Sequence, residues 1–203
     1  MPKVKGREYR AMMPMNAVLP ADDQGEQYRA SGYATTFDKP YLLYEIDGVK
    51  YYERIDPHAL DEADLSDVIM QFDHHGRVFA RTSNNTLVLS IDAHGFKVDA
   101  DLSLTQSSRQ LHEEIKAGLI TKMSWSFIVT ADAYDSETHT RSILKVKKVY
   151  DVSAVSIPAD ADTDISARSY CDGVIQREQA ERLARRKRIL SMTIDSVIGG
   201  NEQ

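Results

Sequence analysis

The sequence predicts a mainly β (α+β) protein, either a closed or nearly closed β-barrel or a sandwich, with peripheral helices. Several short runs that are rich in β-branched and aromatic residues alternate with turn residues, at 28–37, 86–91, 96–102, 122–130 and 141–157. Only three stretches have helical character, which begin at about residues 56, 106 and 163.

The composition is that of a folded protein with one main core. The 203 residues are 42% hydrophobic and 28% charged. The net charge of −6 argues against a protein that binds nucleic acid over its whole surface. The single cysteine, Cys171, excludes an internal disulfide and a zinc site built from several cysteines. No apolar run reaches the roughly 18–20 residues of a membrane span, and no signal peptide is recognisable. We therefore expect the protein to lie in a reducing cytoplasm.

The elements follow in order from local signals. The run 28–37 ends at Asp38-Lys39-Pro40, a turn signal. Asp56 followed by Pro57 is typical of a helix start, with an N-cap and a proline at the first helical position. A short strand is indicated at 68–72.

The second half has equally clear signals. Residues 92–95 (Asp-Ala-His-Gly) predict a hairpin turn between two strands. Leu111 and Ile115 lie four residues apart in the second helical stretch, and Gly118 offers its end. The strands at 122–130 and 141–157 follow.

Charge divides the chain into an acidic body and a basic tail. Residues 177–188 hold six basic and two acidic residues, and residues 1–176 carry a net charge of −8. We therefore predict a β domain over residues 1–165 and a helical, basic extension over 166–203. Leu183, Ile189 and Leu190 would give that extension an apolar stripe, which suits dimerisation.

Two adjacent histidines are the first candidates for chemistry. His74 and His75 follow the strand at 68–72, and successive strand side chains point to opposite faces, so only one can face a given site. The pair is compatible with a metal half-site next to Asp73, with a general base, or with a solvated turn.

Ser124 and Asp151 lie in strongly apolar strand patterns. A serine becomes a nucleophile only when a base such as an imidazole can take its proton. A buried carboxylate needs a partner, and an imidazole suits it. Equally, Ser124 could be a small core residue and Asp151 could face solvent. The sequence has no glycine-rich nucleotide loop, no Gly-x-Ser-x-Gly and no His-Glu-x-x-His.

Taken together, these segments resemble the prohead proteases of tailed bacteriophages, serine peptidases of capsid maturation that are thought to be related to herpesvirus assembly proteases. The resemblance covers about residues 28–165. Residues 31–38 are similar to the family's opening Gly-Tyr-Ala-x-x-Phe strand, and residues 53–60 to the segment after it. Residues 73–81, 123–127 and 151–159 are similar to three later blocks: Asn-His-Asp with a strand ending in Gly-Arg, Met-Ser-aromatic-Gly-Phe, and Glu/Asp-Val-Ser-x-Val-x-x-Pro-Ala.

The resemblance implies roles for particular residues. His74 would be the catalytic base, Ser124 the nucleophile and Asp151 the third member of the triad. Because Asp73 and Ala80 depart from the pattern, His75 stays an alternative base. Ser126 stands where the family has glycine, and Arg81 is a candidate for ordering the region around the oxyanion.

The resemblance also implies a function. The chain would be a serine endopeptidase without a cofactor, on a herpesvirus-protease-like barrel with a C-terminal helix. It would cleave the scaffold portion of the major capsid protein, scaffold and itself inside the assembling prohead. This would occur in the host cytoplasm, or in the bacterial cytoplasm if the gene belongs to a prophage. A homodimer is compatible with this, and no nucleic-acid or membrane partner is expected.

Three points stay open. The tail 177–188 would be a targeting or self-cleaved segment that docks on acidic scaffold, or simply a solvated helix. The chain could instead be a catalytically inactive scaffold or assembly module with the same fold. A metal-dependent hydrolase that uses His74, His75 and an acidic residue is the third reading.

Overall fold

A computed structural model of the chain describes residues 6–18, 28–46, 48–156 and 165–198. The chain divides into two compact units, Met1–Ser166 and Ala167–Gln203. The described part of the first unit is mainly β, with few helices, which confirms the predicted class. A domain boundary at residue 165 stays a prediction.

The strands are β1 (Arg7–Val18), β2 (Arg29–Thr36), β3 (Tyr41–Ile46), β4 (Val49–Ile55), β5 (Ile69–Phe72), β6 (His75–Arg81), β7 (Leu87–Ile91), β8 (Gly95–Asp101), β9 (Lys122–Asp135) and β10 (Thr140–Val155). The α-helices are α1 (Gln106–Lys116) and α2 (Ile165–Ile198), and a single 3₁₀ turn spans Thr82–Asn84.

One branched sheet contains all ten strands. Its main path runs β3-β4-β10-β9-β1-β2-β8-β7, with β5 and β6 off this path. The long strand β10 pairs in parallel with β4 near its beginning and with β5 near its end. Among the described residues the path has two ends, β3 and β7, so the predicted closed barrel is not confirmed.

The core is built on one face of β9. Trp125 stacks on Phe127 with ring centroids 3.9 Å apart and meets Phe96 of β8 at 5.7 Å. All three side chains are fully buried. The largest of the other fully buried apolar side chains are Ile55, Leu60, Met70, Leu102, Met123 and Ile143. Burial of aromatic side chains of this size is a large part of the hydrophobic free energy of folding.

Helix α1 confirms the prediction from its end signals. Thr105 caps the amino end, and its hydroxyl accepts a hydrogen bond from the backbone N–H of Ser108 at 3.0 Å. Leu111 and Ile115 form its buried face. Just beyond the helix, Gly118 has φ +74°, a conformation that favours glycine.

The predicted hairpin turn after β7 is also confirmed. The Asp92 carboxylate accepts from the backbone N–H groups of His94 at 2.7 Å and Gly95 at 3.0 Å. Gly95 is needed for a second reason, because a Cβ there would lie 2.1 Å from the carbonyl oxygen of Thr35 in β2. The close approach of β2 and β8 therefore requires glycine at this position.

The predicted helix that begins at Asp56 is wrong. The backbone N–H of Ala59 donates to the carbonyl of Asp56, and that of Asp61 to His58, so this segment forms successive turns. The Ala59 carbonyl accepts from the N–H of Val146 in β10 and is not used by a helical turn. The segment thus follows β10, where Ala59 is buried.

The sequence of β1 has no recognisable strand signal. The strand is held in place by buried ion pairs, which a local pattern does not reveal. Arg10 pairs with Glu53 of β4 at 2.5 Å and with Glu8 at 2.6 Å, and Arg141 of β10 pairs with Glu8 at 2.7 Å. Burial raises the pKa of Glu8, but the hydrogen bond and charge of Arg141 and the charge of Arg10 lower it by more, so the net shift is downward. These ion pairs fix β1 against β4 and β10.

Helix α2 makes up the described part of the second unit. The predicted beginning at about 163 lies outside the described residues, and the helix continues to Ile198. Leu183, Ile189 and Leu190 are exposed, and the apolar stripe stays a prediction. None of the described helices has the length and apolar character that a membrane span requires.

Candidate active site

Strand β9 presents two serines to one side of the sheet. Ser124 and Ser126 alternate with Trp125 and Phe127, which point into the core, so the hydroxyls lie on the opposite face. Neither serine has exposed surface. In β10, Ser153 pairs directly with Ser124, and Asp151 pairs with Ser126.

A β-bulge places Asp151 on the serine face. Val149 pairs with Phe127 and Asp151 with Ser126, so Tyr150 is an extra residue in β10. In a regular strand Val149 and Asp151 would point to the same side, and Asp151 would then enter the apolar core. The bulge shifts the alternation, so that Val149 stays in the core while Asp151 meets Ser126.

His74 lies in a tight turn between β5 and β6. Phe72 pairs with His75, and the two residues between them have positive φ, 47° for Asp73 and 59° for His74. Two positive φ values in a two-residue hairpin loop are typical of a type I′ turn, which favours asparagine, aspartate and glycine. Histidine, like asparagine and aspartate, adopts this conformation more often than most other residues, so both side chains suit the turn.

Asp73 ties this turn to the end of β10. Its backbone N–H donates to the carbonyl of Ala154 at 3.0 Å. Its carboxylate accepts from the backbone N–H and the hydroxyl of Ser156, both at 2.9 Å. The turn therefore has a fixed position relative to the strand that carries Asp151.

The His74 ring bridges the two strands. Nδ1 lies 2.5 Å from Oδ1 of Asp151, and Nε2 lies 2.5 Å from Oγ of Ser124. An ionised carboxylate can only accept, so Nδ1 carries a proton, and in the neutral imidazole Nε2 then has its lone pair towards the Ser124 hydroxyl. The three predicted residues thus form one hydrogen-bonded chain, in which the imidazole can take the proton of the serine.

Asp151 is buried but fully hydrogen-bonded. Oδ1 also accepts from the Ser153 hydroxyl at 2.6 Å, and Oδ2 accepts from Ser126 and from the Arg7 guanidinium. Burial raises the pKa of Asp151, but the hydrogen bond and charge of His74 and the two serine hydroxyls lower it by more, so the net shift is downward. The carboxylate is therefore ionised at neutral pH.

Arg7 and Tyr9 contact this group and have no signal in the sequence. Arg7 forms an ion pair with Asp151 and donates to Ser126 from Nη2 at 2.7 Å and from Nε at 3.0 Å. The Tyr9 ring meets the His74 ring edge to face, with centroids 4.8 Å apart. Both residues come from β1, which local patterns do not predict.

The other candidates lie apart from this chain of hydrogen bonds. His75 is exposed at the start of β6, and its Nδ1 contacts the backbone carbonyl of Asp73. Arg81 forms a two-pronged ion pair with Asp67, with distances of 2.7 and 2.6 Å. In the part of the chain that the structure describes, no three His, Cys, Asp or Glu side chains are grouped as a metal ion requires.

Comparison with known proteins adds an independent finding. A family model described as "Caudovirus prohead serine protease" matches residues 16–175, a stretch that includes His74, Ser124 and Asp151. No curated protein and no solved structure matched the chain.

Proposed function

The chain belongs to the family of caudovirus prohead serine proteases, and from this premise we propose that it is an active serine endopeptidase with His74, Ser124 and Asp151 as its catalytic triad. The observation that carries the proposal is the position of the His74 ring, with 2.5 Å to each of its two partners. These are the contacts of a base that is oriented by a carboxylate and directed at a hydroxyl.

The reaction follows from this geometry. Oγ of Ser124 attacks the peptide carbonyl carbon while its proton passes to Nε2 of His74. The C–N bond then breaks, the proton passes from Nε2 to the leaving amine, and the acyl group stays on Oγ. Water then attacks the acyl carbon while its proton passes to the same nitrogen, the C–Oγ bond breaks, and the proton returns from Nε2 to Oγ of Ser124. Asp151 keeps its negative charge throughout and stabilises the imidazolium.

Access to the serine is a condition of this mechanism. Ser124 has no exposed surface in the structure, and the His74 side chain is 16% exposed. A peptide therefore reaches Oγ only after neighbouring side chains move. Small reagents that modify serine should then react more readily than protein substrates.

The proposed substrates are the scaffold portion of the major capsid protein, scaffold and the protease itself. Cleavage would take place inside the assembling prohead, in the cytoplasm of the host. On this proposal the ten-stranded sheet is the described part of a herpesvirus-protease-like barrel. The basic residues 177–188 would dock on acidic scaffold, and the exposed apolar side chains of α2 would support a homodimer.

An inactive scaffold module is the alternative, and one observation disfavours it. Such a module does not need a histidine ring that contacts both a buried carboxylate and a buried serine from a turn fixed by Asp73. The metal-hydrolase reading has less support, since His75 points to a backbone carbonyl while His74 contacts Asp151.

Co-expression with the capsid protein of the same phage tests the proposal. The wild-type chain should shorten the capsid protein, and Ser124→Ala should leave it at full length. Ser90→Ala, at an exposed position of β7, is the matched control and should process normally. Processing by folded Ser124→Ala would refute the serine mechanism.

The same assay separates the two histidines. His74→Gln should abolish processing, because no other ring contacts Ser124 and Asp151 together among the described residues. His75→Gln should process within about threefold of wild type, a small change because its ring is exposed. The opposite result would assign the base to His75.

A further inference from the structure

Asp151 is held from both of its oxygens. Oδ1 faces His74 and Ser153, and Oδ2 faces Ser126 and Arg7. The direction of Oδ1 towards His74 therefore depends on what holds Oδ2 on the other side of the carboxylate.

Ser126 and Arg7 form that second support together. The Ser126 hydroxyl donates to Oδ2 of Asp151 and accepts from Nη2 of Arg7 at 2.7 Å. Nη2 also pairs directly with Oδ2. Because the guanidinium is planar and has several donors, Arg7 can contact the Ser126 hydroxyl oxygen and Oδ2 of Asp151 at the same time.

Arg7 is itself held in place. Its guanidinium lies over the ring of Tyr150, 4.7 Å from the centroid, and 5.2 Å from the centroid of Tyr9. The next residue, Glu8, belongs to the buried ion pairs that fix β1 to β10. The positive charge is thus positioned before any substrate binds, and its side chain is only 16% exposed.

We propose that Arg7 is a positioning residue of this site, which holds Oδ2 of Asp151 so that Oδ1 stays directed at His74. The inference rests on the proposed function. It also makes β1 part of the active site, although the triad lies entirely in residues 74–151.

The positive charge has a consequence for the pH dependence. The charged or titratable side chains around Asp151 are Arg7 and His74, which contact it, and Tyr9 and Tyr150, whose rings lie against His74 and Arg7. Without Arg7, the carboxylate would lose a cation that favours its ionised form. Removing the positive charge of Arg7 would also remove a repulsion that disfavours protonation of the His74 ring. Both effects move the acid limb of the pH–rate profile to higher pH.

The test uses the rate at which diisopropyl fluorophosphate labels Ser124 in the full-length chain, measured by intact mass from pH 5 to 9. In labelling, Oγ bonds to phosphorus, fluoride leaves, and the serine proton passes to His74. Arg7→Met should lower the plateau rate at least tenfold and raise the acid limb by about one pH unit. Arg7→Lys keeps the charge but not the two-pronged contact, so its limb should stay near wild type while its plateau falls.

Lys148→Met is the matched control. Its ammonium also lies near the Tyr150 ring, but it pairs with Asp64. This variant should keep the wild-type plateau and limb. A folded Arg7→Met variant whose acid limb stays within about 0.3 pH units of wild type would overturn the inference.

A second measurement does not depend on reactivity. The proton shared by Nδ1 of His74 and Asp151 should give a low-field ¹H resonance in wild type and in Ser124→Ala, and Arg7→Met should shift or remove it. An unchanged resonance in Arg7→Met refutes the role of Arg7. Wild-type protein that shows the resonance but is never labelled refutes the proposed function instead.

Discussion

Replacing Asp151 by asparagine removes the charge of a fully buried side chain but keeps its shape. The amide would have to present either its oxygen or its NH₂ group to Nδ1 of His74. An NH₂ group there selects the tautomer with a proton on Nε2, which then cannot accept the proton of Ser124. We expect labelling and peptide cleavage to fall about 10³–10⁴-fold, equivalent to about 4–5 kcal/mol.

The loss in the free energy of unfolding should be about half of the free-energy equivalent of the loss in rate. Breaking a buried ion pair costs about 3–5 kcal/mol. The amide oxygen can accept from one serine hydroxyl and the NH₂ group can donate to the oxygen of the other, and Arg7 is 16% exposed and can be hydrated, so we expect about 2–3 kcal/mol. A domain with a stability of only about 5 kcal/mol would still be at least about 97% folded.

Two measurements on the same samples separate the effects: labelling of Ser124 by diisopropyl fluorophosphate, and urea unfolding. Asp67→Asn is the control, because Asp67 is half exposed and pairs with Arg81 away from the site. A folded Asp151→Asn variant that reacts within tenfold of wild type would show that Asp151 does not orient the base.

Three further predictions concern stability. Gly95→Ala would bring a Cβ to 2.1 Å from a β2 carbonyl oxygen and should cost about 3 kcal/mol in urea unfolding, whereas Gly173→Ala meets nothing within 4 Å and should change stability by less than about 1 kcal/mol. Arg10→Met would leave buried carboxylates without one of their cations and should cost about 3–5 kcal/mol, so a loss under 1 kcal/mol would show that this network does not stabilise β1. The pKa values of Glu8 and Asp151 are lowered in the folded state, so their contribution is complete above about pH 4.5 and is lost as the pH falls through the folded-state values. Urea midpoints between pH 6 and 3 should therefore fall with decreasing pH, and a midpoint that rises would contradict the two shifts.

Some elements are specified by local interactions that can be read directly from the chain. Helix α1 has its own N-cap, apolar face and terminal glycine, and the Asp92 hairpin forms its hydrogen bonds within four residues. The three blocks around His74, Ser124 and Asp151 are likewise short patterns, so a family resemblance could name these residues before any contact between them was known.

The contacts between these elements depend on the tertiary structure. The bulge at Tyr150 turns Asp151 away from the core, and the alternation of apolar residues alone leaves its direction open. Strand β1 is stabilised by ion pairs between residues that are distant in the sequence. Arg10 pairs with Glu53, 43 residues away, and Arg7 pairs with Asp151, 144 residues away. The Asp56 segment forms a series of turns because carbonyl groups within it accept hydrogen bonds from backbone N–H groups of β10.

Some features can be predicted from the sequence and others cannot because the interactions behind them act over different ranges along the chain. Propensity, capping and turn chemistry act within a few residues and can be read directly from the chain. The pairing of a buried charge depends on which distant strand is its neighbour, and that neighbour exists only after the sheet has formed. The three proposed catalytic residues could therefore be named from sequence patterns, while the contact of Arg7 with Asp151 is visible only in the folded protein.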